Sequence, residues 1–165
     1  GWRALARARS DFDALTTMTT ALTTSADELP ALVTAQASAL REAEGDRRKL
    51  GDEVARFRVR ELHAITEPDS VGVRRLTGRA ATIDALRALA QAAAALPLTL
   101  FVGTIATPPS IAFAASEDTG INAGVLLKTV LTSHNGRGGG SPRVAQGTVE
   151  SANALAMVEH TLLGG

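Results

Sequence analysis

The segment HNGRGGGSPRVAQG, residues 134–147, gathers the residue types that could do chemistry in this chain. Gly138, Gly139 and Gly140 remove every side chain from a run of backbone. Such a run can turn its N–H groups toward an anion, and phosphate is the usual one. Arg137 and Arg143 flank it with positive charge, and Ser141 and Gln146 add neutral hydrogen-bonding groups. His134 stands at an expected helix C-terminus, where its charged form is favoured by the helix dipole. Lys128 lies about two turns earlier on the same helix. Two plainer readings compete: a flexible surface loop, and a glycine run that lets the last helix pack closely on a sheet with no ligand. Glu150, just beyond, weighs against an anion site.

Catalytic constellations are absent. His63, His134 and His160 are each alone, with no partner at metal-ligand spacing. Asp11 and Asp13 are two apart, so on a helix they diverge. Glu117 and Asp118 fall in an expected turn and read as solvated. The chain has no cysteine, which excludes a thiol nucleophile, a disulfide and a cysteine-bound zinc within it. No catalytic residue and no metal ligand is assigned, and the chain alone is expected not to be an enzyme.

Composition narrows the partners. Lys+Arg and Asp+Glu are both 17 of 165 residues, so the net charge is zero, which argues against a strongly cationic nucleic-acid binder but not against a local phosphate contact. Hydrophobic residues reach 45% while aromatics are 3%, which fits helices packed through small side chains. No apolar run has the length of a membrane span, and the opening GWRALARARSDFD has no secretory apolar core. The start without Met suggests a fragment of a longer parent, and a cytoplasmic location is the default expectation.

The elements that must position the glycine segment fall in two regions. Residues 1–66 read as a helical hairpin, a coiled-coil-like arm. Phe12, Leu15, Met18 or Thr19, and Leu22 share a face of a short first helix capped by Asp11 or Ser10. Ser25 and Glu28 have capping-box spacing, and Pro30 bends the entry of the second helix or moves its start to Leu29. From there a 4-3 spacing runs through Leu29, Val33, Gln36, Leu40, Ala43, Arg47, Leu50, Val54, Phe57 and Glu61. A helix to His63 is about 50 Å long. Gly45 and Gly51 weaken it by about 1 kcal/mol each. The arm is expected to pack the first helix on one end of the second, or to serve as a spacer or homodimer contact.

Pro68 and Asp69 end the arm. Residues 70–165 read as a small α+β domain of βαββα type with a mixed sheet and a Gly-rich loop. Its pieces are a strand VGVRRLTG with Val71, Val73 and Leu76 inward, a helix from Thr82 to Leu96, an interior strand LTLFVGTI and its hairpin partner SIAFAAS. A helix from Asn122 to Ser133, the Gly-rich loop, an extended piece at Arg143–Gly147 and a last helix from Ser151 to Leu163 complete it. Ile83, Leu86, Leu89 or Ala90, and Ala93 form the first helix's apolar stripe.

With these pieces in order, the chain resembles the C-terminal part of alanyl-tRNA editing proteins of the AlaX type and the matching domain of alanyl-tRNA synthetases. The motif Gly138-Gly139-Gly140 followed by Ala145-Gln146-Gly147 resembles the DHH-associated domain, which DHH-family phosphoesterases share. Gly1-Trp2-Arg3-Ala4-Leu5 with Asp11-Phe12 resembles the segment just after the last zinc-ligand cysteine of the editing proteins, and SADELPALV resembles the synthetase's helical linker. The resemblance spans essentially the whole chain. It departs from the pattern after Gln146-Gly147, where Thr148-Val149-Glu150 replace further glycines, and it lacks the zinc-ligand motifs. It implies a non-catalytic module that adds tRNA binding, dimerisation or both to a parent that hydrolyses mischarged tRNA at an upstream zinc site. The alternatives are a purely structural oligomerisation module and the accessory nucleic-acid-binding domain of a DHH-type phosphoesterase. The candidate RNA contacts are those of the glycine segment and its neighbours, Lys128, His134, Arg137, Gly138, Gly139, Gly140, Ser141, Arg143 and Gln146; no cofactor is expected in this chain, and no membrane.

Overall fold

The computed structural model describes residues 1–164, and the chain divides into two compact units, Gly1–Arg48 and Lys49–Gly165. The division falls inside the second helix, earlier than the expected break at residues 66–70. The α+β class is as the sequence indicates: long N-terminal helices, then a mixed five-stranded sheet with helices.

The first unit holds α1 (Trp2–Leu22) and the start of α2 (Leu29–Ile65). The α1 helix begins at Trp2 with Gly1 as its N-cap, not near Ser10, because no residue between them breaks a helix. Thr23 ends it in the left-handed region at φ 53°. In the turn that follows, Ser25 Oγ donates to the Glu28 carboxylate at 3.0 Å, and α2 starts at Leu29, leaving Pro30 in its first turn. No residue of α1 is buried. Its apolar side chains Trp2, Leu5, Phe12, Leu15 and Met18 are exposed, so the expected packing of the first helix on the second does not form.

In the second unit the C-terminal part of α2 packs through Ala55 and Val59, both buried, with Leu62 beside them. The 4-3 seam read from sequence is a different stripe: Leu50, Val54 and Phe57 stay exposed, Val54 at 51%. Alternative stripes a residue apart are both apolar here, and the smaller side chains of Ala55 and Val59 allow the closer approach.

The sheet has the order β1-β2-β3-β5-β4. Strand β1 (Arg74–Arg79) runs parallel to β2 (Thr99–Ile105), and α3 (Ile83–Ala94) crosses between them. Strands β2 and β3 (Ser110–Ala115) form an antiparallel hairpin buried on both faces, as the continuous apolar run predicts. Strand β1 starts three residues later than expected and leaves Val71 exposed, because Asp69 accepts the N–H groups of Val71 and Val73 and folds that stretch into a turn. Side chains of Leu76, Phe101, Ile105, Ala112 and Ala114 meet α3 and the end of α2 on one face. Leu100, Val102, Ile111 and Phe113 meet α4 (Ala123–Ser133) and α5 (Ala152–Leu163) on the other. The three helices α3, α4 and α5 are N-capped by Thr82, Asn122 and Ser151, each accepting a backbone N–H. Phe101 lies across the paired glycines Gly78 and Gly103: a Cβ at either would stand 2.9 Å or 2.7 Å from its ring.

The glycine run is not a loop. Arg137–Gly140 is β4, the edge strand, paired antiparallel with β5 (Val144–Thr148). The reason is space. A Cβ on Gly138 would lie 2.5 Å from the Gln146 carbonyl oxygen and 2.6 Å from Leu131 of α4. A Cβ on Gly147 would strike the same Leu131 methyl, and one on Gly124 of α4 would lie 2.6 Å from the Gly140 carbonyl oxygen. Glycine on both sides lets α4 settle against β4 and β5.

Candidate nucleic-acid interface

Making the glycines a strand decides how their backbone can act. None of Gly138–Gly140 has a positive φ. Successive strand amides point alternately to the partner strand and to the free edge, so they do not converge on an anion as a nest would. The phosphate cradle expected from the glycine run is therefore not formed.

A different feature appears beside it. The face of the sheet carrying α3 is covered over β1, β2 and β3, but β5 and β4 continue past the helix. On that open face the register pairs Arg137 with Thr148 and Gly139 with Gln146. All but Gly139 are exposed, and nothing lies within 4 Å of where a Gly139 Cβ would stand. Ile83 and Leu86 of α3 form one wall, Ser110 and Thr148 the far end. The result is a groove of about 270 Å³. Arg87, one turn along α3 from Ile83, donates from Nη2 to Gln146 Oε1 at 3.3 Å. Arg137 and Gln146 thus line the groove beside the bare backbone of Gly138 and Gly147, and Arg87 joins them through Gln146.

The structure brings Arg137, Gly138 and Gln146 together in this groove, with Gly139 opposite Gln146 in the strand register. The other residues singled out in the sequence lie elsewhere. Gly140 sits on the α4 side. Ser141 shapes the β4–β5 turn, accepting the N–H groups of Arg143 and Val144 at 3.3 and 3.1 Å. The Arg143 guanidinium donates to the Ala94 carbonyl at the end of α3. His134 is the half-buried C-cap of α4, and Lys128 is exposed on α4, across the sheet from the groove. His63 is not free either: its Nε2 is 3.2 Å from the Pro97 carbonyl.

Sequence reading misses Arg87, Ile83 and Thr148. Position 87 falls off the apolar stripe of α3 and so looks like a solvated charge. Only the packing of α3 antiparallel to β5 puts it over Gln146.

Asp118 is also more engaged than a solvated turn residue. Its carboxylate accepts the Leu98 N–H with both oxygens, at 3.0 and 2.9 Å, and the Ser116 hydroxyl donates to it. The Ser116 hydroxyl first, then the Leu98 N–H and the charge of Arg143, hold its pKa below the ordinary aspartate value. This holds Leu98 in a left-handed conformation, φ 47°, at the entry to β2. Among the described residues no group of three or more His, Asp or Glu side chains could hold a metal ion, and no helix is long and apolar enough to cross a membrane.

No family model and no curated protein matches the chain. Among solved structures, the chain is similar to one described as the C-Ala domain from Aquifex aeolicus alanyl-tRNA synthetase, at 18% identity and a TM-score of 0.44, over 56% of this chain and 91% of that one.

Proposed function

We propose that the chain is a non-catalytic RNA-binding module that contributes tRNA contact to an alanyl-tRNA editing or synthetase-like parent. The resemblance of its glycine motif and of its opening segment to those proteins supplies the substrate class. The groove between α3 and β4–β5 carries the reading: Arg137 and Gln146 line it beside the bare backbone of Gly138 and Gly147, and Arg87 donates to Gln146. A chain of zero net charge binds RNA through such local placement of arginine rather than through an overall basic face. The catalytic zinc belongs to a part of the parent upstream of Gly1, and the parent acts in the cytoplasm as a deacylase of mischarged tRNA or an alanine–tRNA ligase.

Titration of the chain with tRNA at about 50 and 200 mM salt tests this. Arg137→Ala and Arg87→Ala should each weaken binding several-fold and lower the salt slope by about 1. Unchanged affinity in both variants refutes the groove as the RNA contact. An accessory role beside a DHH-type phosphoesterase predicts the same RNA binding with an Asp-His-His motif upstream in place of zinc ligands.

A second reading has its own observation. The apolar side chains of α1, with Trp2 at 89% exposure, are uncovered. We infer that this helix mediates self-association. Sedimentation over a concentration series checks it, and a strict monomer at all concentrations rules it out.

A further inference from the structure

We propose that the cleft between the C-terminal half of α2 and α3 binds a phosphate group. The cleft shares no residue with the groove beside β4, and the inference does not depend on the RNA-binding reading.

Asp52, Arg56 and Arg60 recur every four residues, so they share one face of α2 at steps of about 6 Å. All three line a cleft of about 250 Å³ whose other wall is α3. Asp52 is half-buried, and both arginines are exposed. An aspartate four residues before an arginine is well spaced to pair with it. That pair does not form here: among the described residues, neither Arg56 nor Arg60 has a hydrogen bond or an ion pair. Two guanidinium groups, which carry donors only, thus line one cleft without an acceptor.

Helix α3 supplies the room. Ala88 and Ala92, one turn apart, line the cleft with single methyl groups where longer side chains would fill the space between the helices. Gln91 adds a neutral amide to the same lining. Free carbonyls at the end of α3 would oppose an anion. Two of them are engaged: the Ala94 carbonyl accepts the Arg143 guanidinium, and the Pro97 carbonyl accepts the Thr99 hydroxyl.

The lining selects among anions. A guanidinium forks onto two oxygens at once. One fork saturates a carboxylate, whereas a phosphate has further oxygens for a second arginine one turn away. Asp52 limits the charge that the cleft accepts, since two cations and one anion leave a net +1. A single phosphate group therefore fits better than a polyphosphate chain. The volume agrees, lying below the roughly 300–1,000 Å³ of sites for drug-sized ligands. Such a group can come from a small phosphate-bearing molecule or from an RNA backbone, and the two are separable.

The test titrates the full chain with inorganic phosphate, with acetate, and with a short oligouridylate that lacks terminal phosphates. The backbone amide NMR signals of Ala88 and Ala92, which every variant retains, report binding. Phosphate should shift both saturably, and acetate should bind several-fold more weakly. Arg56→Gln and Arg60→Gln should each weaken phosphate roughly tenfold. Arg58→Gln makes the same charge change outside the cleft and should leave affinity within about twofold. Asp52→Asn should tighten phosphate several-fold by removing the opposing charge, the reverse of what loss of a merely structural contact would do. The melting temperature should hold in both arginine variants, whose side chains are exposed and unpaired. A matching response to the oligouridylate, lost in the same variants, supports the site with an RNA backbone as its ligand. A response to inorganic phosphate alone supports it with a small phosphate-bearing ligand. No saturable response to either phosphate source, equal affinity for phosphate and acetate, an equal loss in Arg58→Gln, or weaker phosphate binding in Asp52→Asn overturns the site.

Discussion

Substituting neighbouring glycines of β4 should have opposite effects on stability. Gly138 and Gly139 are adjacent in one strand and chemically identical, and neither has a positive φ, so backbone strain does not distinguish them. What differs is the space around each. A methyl at Gly138 would lie 2.5 Å from the Gln146 carbonyl oxygen and 2.6 Å from both Gly147 Cα and a Leu131 methyl. Leu131 can turn aside, but the two backbone atoms belong to the paired strand and cannot move without lifting β5 from β4. Overpacking of this kind costs about 1–3 kcal/mol, and backbone obstruction puts Gly138→Ala at the upper end. A methyl at Gly139 meets nothing within 4 Å. There the loss of glycine's unfolded-state entropy should stabilise by about 0.5–1 kcal/mol. The two variants should then differ by about 3–4 kcal/mol, which for a unit of this size is a gap of roughly 12–16 °C in melting temperature. Thermal and urea melts followed by far-UV circular dichroism would measure it. Equal melting temperatures, or a larger loss for Gly139→Ala, would refute the account of the glycines as room for α4.

Two further substitutions probe other parts of the chain. Val59→Ala, at a fully buried site, should cost about 2 kcal/mol in urea unfolding, while Val54→Ala on the exposed seam stripe should be within about 0.5 kcal/mol of the parent. Asp118 has a folded pKa below the ordinary 3.8, so its stabilisation is present above that pH and is lost as pH falls through the folded value. Asp118→Asn should therefore show a shallower loss of melting temperature on acidification than the parent. Asp69, whose pKa is lowered first by the Val73 N–H, contributes in the same sense to both proteins.

Most elements were legible because their signals are local. Thr82, Asn122 and Ser151 each precede an apolar period and do cap α3, α4 and α5. The mostly apolar run from Thr99 to Ile105 is an interior strand, with its threonines Thr99 and Thr104 buried along with the rest. The misreadings have non-local causes. Gly138–Gly140 look like a loop by composition, and only the approach of Leu131 and Gly124 explains why a strand needs them bare. The seam through Leu50, Val54 and Phe57 is as regular as the stripe actually buried, and only the surface of α3 and the sheet decides between them. For the groove, Arg137 and Gln146 stood out because they flank the motif. Arg87 did not, since its role depends on a strand nearly 60 residues later in the chain, where Gln146 stands.

Phe101 over Gly78 and Gly103 ties three positions into one unit of sequence change. As long as the ring is present, neither glycine can acquire a side chain on that face. Once the ring is replaced by a small residue, Gly78 becomes a vacant site that a larger residue would fill, while Gly103 also needs the Leu86 methyl, 2.6 Å from its Cβ position, to turn aside. Viable drift at these positions is therefore concerted, a bulky residue passing from one strand to its parallel neighbour while the total volume between sheet and α3 stays constant. In a collection of diverged sequences, residues 78, 101 and 103 should trade size among themselves, and a lone change at any one should be rare.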